Sequence, residues 1–231
     1  MIADSQLEVK NWFDQTYSKK GFKYLRPVSA YHIFATLLKP KPGSKHLDVA
    51  CGPGLMLKAL EKYDVQTYGI DLSTEAIKQC KSFCPNALVQ EGNAENLPFN
   101  DDTFDSITCI GSLERMLHRE KALAEQFRVA KSGAKVCFMV RNAENFTWKY
   151  LLKPMNLYNK KGHQDALNLE NWSALFLKTG FQIESVYPDH WPYYKFIKAF
   201  FPWAKIDPGK IRKFPFNLNL AYEFIFYLRK P

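Results

Sequence analysis

The stretch that most constrains this chain is HLDVACGPG, running from His46 to Gly54, a short strand that ends in an acid, a small residue and a glycine turn opening into a helix. Asp48, Ala50, Gly52 and Gly54 stand where a buried strand stops and the backbone must turn with no side chains in the way. A ligand can then lie against main-chain N–H groups at the head of the following helix. The feature is a cradle for a nucleotide-type ligand.

Two departures separate it from a dinucleotide site. That site needs three glycines in G-x-G-x-x-G, the third letting helix pack on strand while a pyrophosphate sits at the helix N-terminus. Here the third position is Leu57, and Pro53 removes one N–H from the turn. The Asp48 carboxylate just ahead of the turn repels a pyrophosphate and suits a ligand carrying an ammonium group. S-adenosylmethionine answers that description, having a nucleoside, a sulfonium and a zwitterionic amino acid but no phosphate. An NAD-dependent reductase fails on Leu57.

A chain of 231 residues suits one α/β domain with additions. No stretch is long and apolar enough to span a bilayer, and MIADSQLEVK lacks the hydrophobic run of a signal peptide, so a cytoplasmic protein is expected. The five cysteines, Cys51, Cys80, Cys84, Cys109 and Cys137, are odd in number and read as free thiols. Cys80 and Cys84 share a helix face without a second pair to complete a metal site, so no metal is expected. Lys and Arg outnumber Asp and Glu by 32 to 23, and much of the excess follows residue 148, interleaved with Trp, Tyr and Phe. Such a pattern serves nucleic acid, anionic lipid or an acidic substrate, and equally a solvated basic face over an aromatic core.

Strand and helix signals alternate from Lys45 onward. KHLDV leads to a helix over Leu55 to Lys62; QTYGI ends at Asp71, and Ser73 caps a helix running to Phe83. ALVQ, FDSITCI and AKVCFMV follow as strands, the last after a Ser132-Gly133 turn, with a helix over His118 to Ala130. Helical patterns over Ser5 to Tyr17 and Val28 to Leu38 precede this core. Beyond it come an aperiodic insertion from Arg141 to Asp165, a helix over Leu169 to Thr179, the strand FQIESVY, an aromatic segment from Pro188 to Phe216 and the strand LAYEFIFYLRK. The alternation predicts a parallel sheet covered on both faces, with ligand loops gathered along one edge.

With these motifs in order, the chain resembles the class I S-adenosylmethionine-dependent methyltransferases, most closely the small-molecule branch that includes the ubiquinone and menaquinone C-methyltransferases. The resemblance covers Lys45 to Val140. It implies a doubly wound, mostly parallel seven-stranded sheet in a single domain over 1–231, with a helical cap over 1–44, a cofactor core over 45–140 and acceptor-side additions over 141–231. By that resemblance Asp48 orients the methionine ammonium, while Ala50, Gly52 and Gly54 let the methionine portion and ribose approach the backbone. Asp71, about twenty residues on, accepts both ribose hydroxyls, and Leu72 lies against the adenine. In GNAENLPF, Asn93 stands where the family has Asp; its carbonyl accepts from the adenine amine, and Ala94 offers its N–H to the ring. In FDSITCIGSLERM, Ile110 and Gly111 end the strand beside the sulfonium. Many relatives have an acid and a His where Glu114-Arg115 stand; Glu114, Arg115 and His118 read as a solvated helix start.

The acceptor side is less legible. The family builds its acceptor pocket from N-terminal helices and the segment after the fifth strand, so Tyr24, His32, His163 and His190 are candidates there, with His163 first as a general base. Where a nucleic-acid methyltransferase of this fold carries an NPPY-like tetrad, this chain reads CIGSLE, which favours a small molecule over nucleic acid. HWPYYKFIKAFFPW, with Trp191 and Tyr194, is expected to roof a hydrophobic or lipid-like acceptor; it also suits peripheral contact with a membrane, or an irregular helix on the sheet edge. Intact Asp48, Gly52, Gly54 and Asp71 are equally compatible with a non-catalytic S-adenosylmethionine-binding module used for sensing. Oligomeric state is not written in the sequence.

Overall fold

The computed structural model describes residues 5–146, 149–150, 153–155, 165–211 and 218–231. Ser5 caps α1 (Gln6–Lys20) by accepting the Glu8 N–H, and α1 stops at Gly21, whose φ is 49°. A 3-10 turn over Val28–Tyr31 runs into α2 (His32–Leu38). Then come β1 (Lys45–Val49), α3 (Leu55–Leu60), β2 (Gln66–Asp71), α4 (Thr74–Phe83), β3 (Leu88–Glu91), β4 (Phe104–Ile110), α5 (Arg119–Val129) and β5 (Ala130–Arg141). The last part holds α6 (Leu169–Thr179), β6 (Gln182–Pro188), α7 (Trp191–Phe200) and β7 (Glu223–Arg229).

The seven strands form one sheet in the order β3-β2-β1-β4-β5-β7-β6. Strands β1 to β5 pair in parallel, and β7 runs antiparallel between β5 and β6. This is the expected doubly wound, mostly parallel sheet. Alternation along each strand feeds two layers: Phe138, Phe224 and Phe226 join Trp172 and Phe176 of α6 on one face, whereas Cys137, Met139 and Ile225 join Phe34 and Leu38 of α2 and Met56 of α3 on the other. Strand order reverses between β1 and β4, so the loops leaving them diverge and open a crevice at the carboxyl edge. Asp48, Asp71 and Ile110 stand at that edge.

Two expectations are corrected. β5 begins at Ala130, before Ser132-Gly133: its pairing with β4 jumps from Phe104↔Ala130 to Ser106↔Lys135, and the extra residues bulge out, held by Gly133 N–H on the Lys230 carbonyl. The aromatic segment after Pro188 is no mere interruption, since α7 is a regular helix of 10 residues with a proline in its first turn. The five cysteines are free and buried, with Cys80 and Cys84 packed against Gly54. Among the described residues no helix is long and apolar enough to cross a membrane.

Candidate functional site

Two adjoining cavities occupy the crevice. The smaller, of about 590 Å³, is lined by Ala50, Asp71, Leu72, Asn93 and Ala94 from the sheet edge and by Gln6, Val9, Phe13 and Tyr17 from α1. The larger, of about 1110 Å³, takes in Asp48, Gly52, Ile110, Gly111 and Met139, with Arg26, Tyr31, Arg141, Tyr222 and Glu223 beyond them. Phe13, Tyr17, Ala50, Ser112 and Arg115 belong to both walls, so the two spaces meet there.

Asp71 organises the turn between β1 and α3. Its Oδ2 accepts the Gly52 N–H at 2.8 Å and its Oδ1 accepts the Ser73 N–H at 2.9 Å. Each oxygen keeps lone-pair capacity for a further donor. Burial pushes the carboxyl up to about 6, against the lowering effect of those two N–H bonds. The turn itself is left-handed at Ala50, Gly52 and Gly54, with φ of 58°, 53° and 89°. A Cβ on Gly52 would lie 3.0 Å from the Tyr17 hydroxyl, which closes the cradle to any larger residue.

Asp48 is 3% exposed and is held from the neighbouring strand by Thr108, whose Oγ1 donates to Oδ1 at 2.6 Å. Burial raises its carboxyl to about 7; the Thr108 bond opposes the rise and the Asp71 charge adds to it. A cation placed beside Asp48 would reverse most of that penalty.

Helix α1 is fastened over the smaller cavity. Lys10 Nζ donates to the Leu72 carbonyl at 3.1 Å and to Glu91 at 2.7 Å, while Asp14 accepts from Ser73 Oγ at 2.6 Å. At the far wall of the larger cavity a buried ion network joins Arg26 to Asp189 at 2.9 Å and to Glu223, with Arg141 on Glu223 at 3.4 Å. Burial raises the Glu223 carboxyl, and the Arg26 and Arg141 charges hold it down.

A family model described as a methyltransferase domain matches residues 47–138, the span that contains the turn, both buried carboxylates and β4. Residues 47–138 are thus similar to a methyltransferase domain. An uncharacterized methyltransferase of Bacillus subtilis, YcgJ, is 29% identical over 136 residues, covering 56% of this chain and 54% of that protein. The ubiquinone/menaquinone biosynthesis C-methyltransferase UbiE of Burkholderia mallei is 33% identical over 129 residues, covering 52% and 51%. The chain thus spans about half the length of these curated relatives. A crystal structure of a methyltransferase from Thermotoga maritima superposes with a TM-score of 0.68 at 19% identity, covering 98% of this chain and 100% of the other, a likeness of fold.

The cofactor of such a methyltransferase domain is S-adenosylmethionine, and the residues present fit it. A buried carboxylate with spare lone pairs ends β2, a second borders the adjoining space, and Ala50 and Gly52 of the turn line the cavities alongside them. Asp48, Ala50, Gly52 and Ile110 come together in the larger cavity, and Ala50, Asp71, Leu72, Asn93 and Ala94 in the smaller. Gly54 departs from its expected place at the ligand. A Cβ there would lie 2.5 Å from Cys80 Sγ and 3.1 Å from Cys84 Sγ, so its missing side chain serves the packing of α3 on α4. The Asn93 carbonyl already accepts the Glu95 N–H at 2.9 Å and has one acceptor position left.

The acceptor-side residues scatter. Trp191 and Tyr194 stack on each other with centroids 4.9 Å apart and line a separate cleft with Ala30, Ile33 and Lys210, which shares no lining residue with either cavity. His32 lies against Gly209 outside both cavities, and burial with the nearby Lys62 charge lowers its pKa. His190 sits at the head of α7 in the same separate cleft. Tyr24 ends a 3-10 turn after α1, and His163 lies outside the described residues.

The expected solvated helix start is overturned at Glu114, which is 1% exposed and, among the described residues, has no hydrogen-bond partner on either carboxylate oxygen; its charge instead acts on half-buried Arg141. Arg115 packs its guanidinium over Phe13 at 5.8 Å and donates to the Gly111 carbonyl at 3.3 Å, at the junction of the two cavities. His118 is exposed, as a helix start should be. Sequence reading missed the α1 wall, although Gln6, Val9, Phe13 and Tyr17 recur at helical spacing on one face. Arg26 and Glu223 lie too far apart in sequence for any local pattern to join them.

Proposed function

We propose that this chain transfers a methyl group from S-adenosylmethionine to a small-molecule acceptor with a hydrophobic, lipid-like body that enters the larger cavity. The observation that carries the reading is the joined pair of cavities, one walled like a nucleoside site and the other with room to spare beyond Asp48. Phe13, Leu25, Ile110 and Met139 give the larger space apolar wall for such a body, and Arg115 offers a guanidinium to a polar end. The name of the relative UbiE, a C-methyltransferase of quinone biosynthesis, accords with a hydrophobic acceptor.

The bound cofactor supplies a methyl group already activated on sulfonium, so the protein's part is orientation and exclusion of water. Asp71 and the Gly52 turn would hold the ribose, Leu72, Asn93 and Ala94 the adenine, and Asp48 with the Ile110–Gly111 main chain the amino-acid end. Residues 1–44 act as the cap, 45–140 as the cofactor core and 141–231 as the acceptor side. His163 remains the proposed general base for an acceptor that must lose a proton. Exposed Phe196, Phe200 and Trp203 beside Lys195 support contact of α7 with an anionic membrane surface from the cytoplasmic side.

Release of S-adenosylhomocysteine in the presence of quinol, phenol and prenylated acceptors tests the reading. Acceptor-dependent turnover is expected; tight cofactor binding with no turnover on any of them would favour the sensing module instead.

A further inference from the structure

The sheet carries a polar ladder where its neighbours carry a hydrophobic layer. Parallel pairing sets His46 beside Ser106 and Asp48 beside Thr108, on the face of β1 and β4 opposite Leu47, Val49 and Ile107. All four side chains are buried, His46 and Thr108 at 0% exposure. They are joined end to end: Ser106 Oγ to His46 Nδ1 at 2.9 Å, His46 Nε2 to Thr108 Oγ1 at 3.0 Å, and Thr108 Oγ1 to Asp48 Oδ1 at 2.6 Å.

Only one proton arrangement satisfies this chain when Asp48 is ionised. A carboxylate only accepts, so the single Thr108 proton goes to Asp48. The Thr108 oxygen must then accept, which requires the proton of a neutral His46 on Nε2. Nδ1 is left to accept from the Ser106 hydroxyl. Among the described residues Thr108 is the one hydrogen-bond donor to Asp48, and its aim is fixed from behind by the imidazole.

We propose that Thr108, held by His46, is a positioning residue that keeps the Asp48 carboxylate ionised and oriented toward the cavity for the ammonium end of the cofactor. This rests on the cofactor reading above. His46 suits the task because burial pushes its pKa down to about 3, so it stays a neutral, single-tautomer link. Asp48, by contrast, is pushed up to about 7 even with the Thr108 bond in place, so losing that bond would leave it protonated at neutral pH. The other titratable and charged groups around Asp48 are Asp71 at the end of β2, Cys51 in the turn, Cys80 on α4, Cys109 on β4 and Tyr31 before α2. Arg26, Arg115, Arg141 and Glu223 line the same cavity. None of these donates a hydrogen bond to Asp48, so none replaces Thr108.

Calorimetric titration with S-adenosylhomocysteine from pH 5.5 to 8.5 tests this on wild type, Thr108→Val and Thr108→Ser. Wild-type affinity should fall as pH drops through the Asp48 midpoint. Thr108→Val should move that midpoint up by about one to two pH units, the equivalent of one hydrogen bond to a charged group, and weaken binding at pH 7 roughly tenfold or more with recovery toward pH 8.5. Thr108→Ser should restore the wild-type profile. A loss in Thr108→Val that is equal at every pH, or no loss, would overturn the proposal and leave Thr108 a structural residue. In the unliganded wild type, ¹⁵N NMR should report His46 as the neutral Nε2–H tautomer at pH 8 to 8.5, where Asp48 is ionised; an imidazolium or an Nδ1–H tautomer there overturns the relay even if the valine variant does not fold. Wild type that binds no S-adenosylhomocysteine at any pH would instead refute the cofactor reading, a distinct outcome.

Discussion

At the scale of single residues, the site stores electrostatic strain in its two carboxylates. Burial pushes the Asp48 carboxyl up to about 7 and that of Asp71 up to about 6, above the ordinary aspartate value of 3.8. Their contribution to stability is therefore complete below about pH 4 and is lost as pH rises through 6 and 7. His46 works in the opposite sense: with a folded value near 3 against 6.5, its contribution is present above 6.5 and lost as pH falls toward 3. Asp48→Asn should accordingly make the unliganded protein more stable at pH 8, by on the order of 2–4 kcal/mol from the size of the shift, while weakening S-adenosylhomocysteine binding. Urea melts at pH 5 and 8 measure the first effect and calorimetry the second; no gain at pH 8 would mean that Asp48 carries no buried-charge penalty. Asp71→Ala removes ligand acceptors and also leaves the Gly52 and Ser73 N–H groups without their partner. Its cost to cofactor affinity should therefore exceed the roughly 1.5–3 kcal/mol of a single hydrogen bond to a charged group, and calorimetry showing unchanged affinity would remove Asp71 from the site.

At the scale of elements, the turn HLDVACGPG does two separate jobs. Gly52 faces the cavities and Tyr17, whereas Gly54 faces Cys80 and Cys84 of the α4 end. Gly54→Ala should cost about 2–4 kcal/mol from combined strain at positive φ and overpacking, seen as a lowered thermal midpoint. Adding Cys80→Ala should return part of that loss by removing the sulfur nearest the new methyl group. If the double variant melts no higher than Gly54→Ala alone, strain at φ and not packing accounts for the whole effect. Both jobs look alike in the motif, since a glycine required by φ, by a ligand or by a neighbouring helix leaves the same letter. What separates them is the direction each absent Cβ would take, and that depends on where α4 and α1 pack.

At the scale of the whole molecule, α7 and the crevice are distinct surfaces. The Trp191–Tyr194 cleft shares no lining residue with either cavity. Replacing both aromatics by Ala should leave S-adenosylhomocysteine affinity and acceptor KM within a factor of about two, while Phe200→Ser with Trp203→Ser should reduce co-sedimentation with anionic vesicles. A raised acceptor KM in the first variant would return α7 to the acceptor site, and equal vesicle binding in the second would take it off the membrane. The sheet and its cofactor edge were legible from local rules: alternation of strand and helix, a turn that only small residues allow, and acids at strand ends, each a consequence of backbone sterics within a few residues. Tertiary packing decided the rest. Glu114 was buried beside Arg141, α1 was fastened over the nucleoside compartment through Lys10 and Asp14, Arg26 met Asp189 and Glu223, and the aromatic helix was drawn away from the crevice. These outcomes depend on which surfaces are left to desolvate one another once the sheet has formed, a property of the assembled faces that no spacing along the chain encodes.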